Sequence, residues 1–274
     1  MPKVSVVIPC YNQGPYLDEA VESVLLQTWQ DFEIVIVNDG STDEYTNRLL
    51  ASFSRPRTRI ITTANQGLAQ ARNNGIAAAQ GEYILPLDAD DRIGREYLEK
   101  AISILDDQPK TGIVYCHAEK FGAESGPWHS PNYSLRRMLL GNQIFCTALF
   151  RREDWQRIGG YKPEMKAGWE DWDFWLSLLE LGRDVYRIPD VLFFYRVKEV
   201  SMAKSMDVAK KVDMHLWVIS NHPALFIETA RPLLTLYYRI TDSRPYRILK
   251  RLRIPVFIER AMNRHVKVRK ADKP

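Results

Sequence analysis

VSVVIPCYNQGPYLDEAVESVLLQTWQDFEIVIVND, residues 4–39, holds a strand, a helix and a second strand in one continuous stretch. Residues 4–8 (VSVVI) form a β-branched run of the kind found in strands buried on both faces of a parallel sheet. After Gly14-Pro15, Leu17, Ala20, Val21, Val24 and Leu25 recur at the i, i+3, i+4, i+7, i+8 spacing of an amphipathic helix, with Pro15 near its first position. Residues 32–37 (FEIVIV) form the second strand and close in the turn cluster Asn38-Asp39-Gly40-Ser41.

The same alternation continues outward. Residues 59–62 read as a third strand and residues 67–79 as a helix with Leu68, Ala71, Gly75, Ile76 and Ala79 on one face. Residues 83–87 read as a fourth strand running directly into Asp88, followed by a helix over 95–105 and a strand over 112–116. Five alternations in 116 residues predict an α/β fold with a doubly wound, mostly parallel central sheet, Rossmann-like in kind. Such sheets bind ligands beyond the carboxyl ends of their strands, where Asp39 and Asp88 are both expected. Farther on, residues 121–134 read as a loop, 144–150 as a strand and Gly159-Gly160 as a turn. Residues 171–181 read as a helix opened by acids, and 185–197 as one or two strands. From residue 206 the pattern is helical and increasingly basic, punctuated by Pro223, Pro232, Pro245 and Pro255.

Composition narrows the classes. The 274 residues are 45% hydrophobic and 26% charged, as in globular proteins with a packed core. No apolar run approaches the ~20 residues of a membrane-spanning helix. No secretory signal is visible at the start, and Cys10, Cys116 and Cys146 suit reduced thiols better than a disulfide framework or a zinc site. A cytoplasmic location is therefore expected. The net charge of +4 hides an uneven distribution: residues 231–274 hold 13 Lys and Arg against Asp242, Glu259 and Asp272, so the remainder is acidic. A basic segment on an acidic body points to an anionic partner, here an anionic membrane face or an acidic acceptor and not nucleic acid, although a solvated basic helix has the same composition.

Asp88-Ala89-Asp90-Asp91, at the end of an apolar strand, places three carboxylates within four residues. They repel one another unless a cation neutralises them, and Mg²⁺ or Mn²⁺ typically binds one or two carboxylates together with substrate phosphates. An acidic turn in which Asp91 caps the next helix has the same sequence. Glu170-Asp171, between Trp169 and Trp172, suits a general base with an aromatic sugar platform. It equally suits charge placement at a helix N-terminus beside packed tryptophans.

The chain resembles the family 2 glycosyltransferases, whose fold is of GT-A type. The resemblance spans residues 4–202 and is carried by VSVVIPCYNQGPYLDEAVESVLLQTWQDFEIVIVNDGSTD, NQGLAQARNNGIAAAQGEYILPLDADD, the short IGGY at 158–161 and GWEDWDFWLSLLELG. It implies a catalytic domain over 1–203, with a nucleotide-binding half (1–117) and an acceptor-binding half (118–203), and a basic helical extension over 204–274. It also implies roles. Pro9, Tyr11 and Asn12 line the nucleotide pocket, and Asp39 accepts from a ring N–H of uracil or thymine. Arg72 lies by the base or phosphates, Asp88 contacts ribose and shares the metal, and Asp90 is the main ligand of Mn²⁺ or Mg²⁺. Asp171 is the catalytic base and Glu170 orients the acceptor. The activity so implied is inverting transfer of a sugar from a UDP-linked donor to a hydroxyl of a glycan, polysaccharide or lipid-linked acceptor, by metal-assisted single displacement. The setting would be the cytoplasmic face of the membrane, during cell-envelope polysaccharide synthesis.

One departure stands out. Many members carry a His a few residues after a Tyr-Arg pair, where it completes the metal site. Here the stretch is Tyr195-Arg196-Val197-Lys198, and a lysine suits contact with the diphosphate, not metal ligation. Other classes lack their motifs: neither G-x-G-x-x-G after the first strand nor G-x-x-x-x-G-K-[ST] occurs. A sugar-phosphate nucleotidyltransferase and an inactive sugar- or lipid-binding module remain as alternatives.

Overall fold

A computed structural model describes residues 1–166, 168–198 and 207–244. The β-branched runs form a parallel core of strands β1 (Val4–Cys10), β2 (Phe32–Asp39), β3 (Thr58–Thr63) and β4 (Tyr83–Pro86), in the order β3-β2-β1-β4. Every residue of β1 is buried, as a central strand covered on both faces requires. The sheet continues through β8 (Leu149–Arg151), β6 (Thr111–Gly122), β9 (Asp184–Val197) and β5 (Arg92–Ile93). β8 is antiparallel to both β4 and β6, whereas β6 and β9 run parallel. A short strand, β7 (Gly126–Trp128), pairs with β6 inside the segment expected to be loop. The result is the expected α/β fold, its mostly parallel sheet becoming mixed toward the β5 edge.

Helices α1 (Gly14–Leu25), α2 (Glu44–Ser52), α3 (Leu68–Ala78) and α4 (Tyr97–Asp107) alternate with the first strands. Gly75 lets α3 lie directly on the sheet, because a Cβ there would run into the side chains of Val7 and Val37. Arg72, one turn earlier on the same face, is thereby carried into the interior and is only 1% exposed. The second half adds α5 (Leu135–Met138), α6 (Arg152–Ile158) and α7 (Glu170–Glu180), then α8 (Val208–Asn221) and α9 (Pro223–Thr241).

One expectation about extent changes. The strand expected over 144–150 shortens to β8 because the preceding backbone serves side chains instead of a ladder. The Ile144 carbonyl accepts from Trp175 Nε1 at 3.1 Å and the Thr147 carbonyl from the Tyr97 hydroxyl at 2.8 Å. The chain forms two compact units, Met1–His222 and Pro223–Pro274. The first unit includes α8 because its C-terminal end is bonded to α7. Asn221 Nδ2 donates to Asp173 Oδ1 at 2.6 Å, and the His222 ring lies 3.2 Å from Asp173 and 3.0 Å from Glu180. Of the basic segment 231–274, residues 245–274 lie outside the described residues.

Candidate active site

The carboxyl ends of β1, β2 and β4 open into a cleft of about 810 Å³ whose far wall comes from β6, β9 and the start of α7. Pro9, Tyr11, Asp39, Arg72 and Asp88 all line it, as do Asp90, Glu170, Asp171 and Lys198. Carboxylates far apart in sequence thus share one cavity.

Arg72 joins the two sides. One guanidinium nitrogen lies 2.8 Å from Asp88 Oδ1 and another is bonded to Glu170 Oε1, so a single buried cation ties the acidic loop after β4 to the first turn of α7. The IGGY turn holds this bridge in place. Asn73 Oδ1 accepts from Trp155 Nε1 at 3.0 Å and from the Tyr161 amide at 2.9 Å, while its Nδ2 donates to the Tyr161 carbonyl at 2.7 Å. Tyr161 then stacks on Phe174 of α7 with ring centroids 4.0 Å apart, and its ring lies under the Arg72 guanidinium. Gly160, with φ of 85°, passes against Asn73 where a side chain would collide.

Asp171 is half-buried at the α7 N-terminus. Its Oδ2 accepts from Asn142 Nδ2 at 2.9 Å and its Oδ1 from the Trp172 amide at 2.8 Å. Burial, and then the adjacent charge of Glu170, push its carboxyl up to about 7, against the opposing pull of Arg72 and the Trp172 amide. A carboxylate near neutrality is matched to proton abstraction at physiological pH.

In the acidic loop, Asp88 Oδ2 also receives the Cys146 thiol at 3.4 Å. Asp90 Oδ2 lies 2.6 Å from Lys198 Nζ. Asp91 does not cap the next helix, whose N-cap is Glu96. Its Oδ1 instead accepts from the Arg196 amide at 2.8 Å, fastening β9 to the loop. Burial, followed by the charges of Asp88 and Asp90, raises the Asp91 carboxyl well above the usual range.

Asp39 takes three hydrogen bonds, from the Thr63 hydroxyl at 3.2 Å and from the Gln66 and Gly67 amides at 3.0 and 2.9 Å. A carboxylate has about four acceptor positions, which leaves one for a ligand N–H. Two expected residues act differently. Asn12, at φ of 55°, spends its side chain on the neighbouring loop: Oδ1 accepts from the Thr42 and Asp43 amides and Nδ2 donates to the Thr42 hydroxyl. It shapes the pocket rim without lining the cleft. Trp172 is 1% exposed, with Nε1 donating to the Met138 carbonyl at 2.7 Å, so it is core and not a sugar platform. Trp169 does line the cleft, held at φ of 67° as the residue before α7. Asn142 and Cys146 lie outside every quoted motif, and Asn73 and Gln13 lie inside quoted stretches without an assigned role, so the parts of all four emerge only from the geometry.

The loop's donor set suits a hard cation that completes its shell with ligand oxygens. Asp90 and Asp88 offer carboxylates, and among the described residues no group of three His, Cys, Asp or Glu side chains could enclose a metal alone.

The family profile described as glycosyl transferase family 2 matches residues 5–167, more than half of the chain. An uncharacterized glycosyltransferase of Haemophilus influenzae is 40% identical over 216 residues, covering 75% of this chain and 83% of that protein. Chondroitin synthase of Pasteurella multocida is 28% identical and covers 77% of this chain but only 22% of its own length. Among solved structures, residues 1–349 of S. aureus TarS in complex with UDP-GlcNAc superpose with a TM-score of 0.63 at 22% identity, covering 75% of this chain and 62% of that one. That likeness is one of fold. The chain belongs to glycosyl transferase family 2 and is a glycosyltransferase.

Proposed function

We propose that this glycosyltransferase moves a sugar from a UDP-linked donor to a hydroxyl of a glycan, polysaccharide or lipid-linked acceptor, with inversion at the anomeric carbon. The carrying observation is Arg72, whose one guanidinium ties Asp88 of the donor-side loop to Glu170, the neighbour of Asp171. TarS binds UDP-GlcNAc and the chondroitin synthases are named for a glycan product, which supports both the donor and the acceptor class. A uracil ring has the N3–H that the remaining acceptor position of Asp39 would take.

In the proposed step, the acceptor oxygen forms a bond to the anomeric carbon as the bond from that carbon to the diphosphate oxygen breaks. Asp171 takes the acceptor's hydroxyl proton, Asn142 holds its carboxylate in orientation, and UDP departs with the bonding electron pair. Glu170, neutralised by Arg72, orients the acceptor, and Trp169 supplies the aromatic face beside it. Lys198 and Arg72 offset charge on the diphosphate. Asp90, with Asp88, would hold Mn²⁺ or Mg²⁺, which supplies Lewis-acid stabilisation of the leaving group. NMR of the product is the test: an α-linked donor should give a β-linked product, and retained configuration would overturn the single displacement.

A further inference from the structure

The acidic loop carries its own counter-ions. Lys198 Nζ lies 2.6 Å from Asp90 Oδ2, 2.7 Å from Gln13 Oε1 and 4.9 Å from the centre of the Tyr16 ring. Both members of the ion pair are mostly shielded, with side-chain exposures of 24% and 21%. A divalent cation on Asp90 competes with the ammonium for the same carboxylate and sets two further positive charges beside it, so lysine and metal oppose each other there.

The two cations at the end of β9 differ in how firmly they are held. Arg196 Nε donates to the Asp90 carbonyl at 2.8 Å, its guanidinium also pairs with Glu19, and it lies 4.3 Å from the Phe121 ring centre. These contacts commit it to fastening the strand. Lys198 is a point charge on a flexible stem with rotatable donors and swings to a new anion at low cost. A nucleoside diphosphate brings several negative charges into this same cleft. It gives the ammonium a stronger partner than one carboxylate and supplies the phosphate oxygens that the metal lacks.

We propose that the Lys198–Asp90 ion pair makes metal capture conditional on the donor: the cation binds at Asp90 only once a nucleotide diphosphate has drawn Lys198 onto its phosphates. This rests on the nucleotide-sugar reading of the cleft. It goes further by assigning Lys198 the role of a latch that keeps the nucleotide-free cleft free of metal.

The experiment measures free Mn²⁺ by its EPR signal during titration of the whole chain with and without UDP, correcting for Mn²⁺ that UDP binds in a protein-free control. Without UDP, the wild type should bind no more Mn²⁺ than Asp90→Asn, and with UDP it should gain an Asp90-dependent site. Lys198→Met and Lys198→Gln should bind Mn²⁺ without UDP about tenfold more tightly than the wild type, as expected for removing a shielded competing charge. A gain below about threefold in both variants would overturn the latch. So would a wild-type site that is equally tight with and without UDP, an arm that decides the matter even if neither variant folds. Calorimetry of UDP binding separates the two layers of the argument. If UDP binds but Mn²⁺ affinity ignores it, the latch alone fails; if UDP binds neither with nor without Mn²⁺, the donor reading fails first.

Discussion

Asp171 and its neighbour Glu170 occupy adjacent positions in the first turn of α7, yet only Glu170 has a cation of its own, Arg72. Asp171 has amide donors and a negative neighbour, and its carboxyl is pushed up to about 7. Base catalysis needs the ionised form, so kcat/KM should rise with pH through about 7 and then level off. Asp171→Asn should keep UDP binding, measured by calorimetry, and lose transfer by about 10²-fold or more; a variant with normal turnover would remove Asp171 from the mechanism. The same shift has a stability sign. A carboxyl whose folded pKa is raised holds its proton in the native state after the unfolded chain has released it, so stability falls as pH climbs from about 4 towards 7. Asp171→Asn should therefore raise the melting temperature at pH above 7 and leave it nearly unchanged below about pH 4. Equal shifts at both ends of the range would mean that the charge is not the cause.

At the scale of elements, Asn73 on α3 holds the IGGY turn, and through Tyr161 the turn holds α7. Asn73→Ala strips partners from the Trp155 ring N–H and from both backbone groups of Tyr161, which should cost about 3 kcal/mol in denaturant unfolding. It should also lower kcat, because the Arg72–Glu170 bridge loses its support. Unfolding free energy within about 0.5 kcal/mol of wild type would show the turn to be held by other means. The clamp between α7 and α8 is ionic. Asp173 and Glu180 raise the His222 pKa despite its burial. The sign follows: this contribution is fully present below the unfolded value of about 6.5 and is lost as pH rises through the raised folded value. The melting-temperature gap between wild type and His222→Gln should accordingly be widest below pH 6.5 and narrow in alkali. The elements that can be read in the sequence are those with a strong period, such as β1, β2 and α1. Helix α2 is missed because its reasons lie outside its hydrophobic pattern: Asp43 caps the Thr46 amide and the Thr46 hydroxyl accepts from the Gly14 amide. The two tryptophans of Trp169-Glu170-Asp171-Trp172 look alike in sequence, and only the bend at Trp169 decides that one faces the cleft and the other the core. The acidic motif marks Asp88 and Asp90, but Cys146 reaches Asp88 from a segment whose local pattern suggests only a strand, and Asn142 reaches Asp171 from just before it.

For the whole molecule, the sequence separates an acidic body from a basic end, and among the described residues no helix is long and apolar enough to cross a membrane. Residues 231–274 carry 13 Lys and Arg against three acids. Each basic side chain near an anionic surface is worth about 1 kcal/mol, so even a fraction of them engaged together would hold the chain on such a surface. An acceptor embedded in that surface would then meet the cleft at raised local concentration. The attraction is screened within about 8 Å at physiological salt and about 3 Å at 1 M, which sets the form of the test. The protein should co-sediment with vesicles rich in phosphatidylserine or phosphatidylglycerol, and the binding should disappear near 1 M salt. Replacing Lys250, Arg251 and Arg253 with Glu should weaken it while leaving UDP affinity unchanged. Equal binding to neutral phosphatidylcholine vesicles, or binding that survives high salt, would assign the contact to apolar surface and remove charge as its cause.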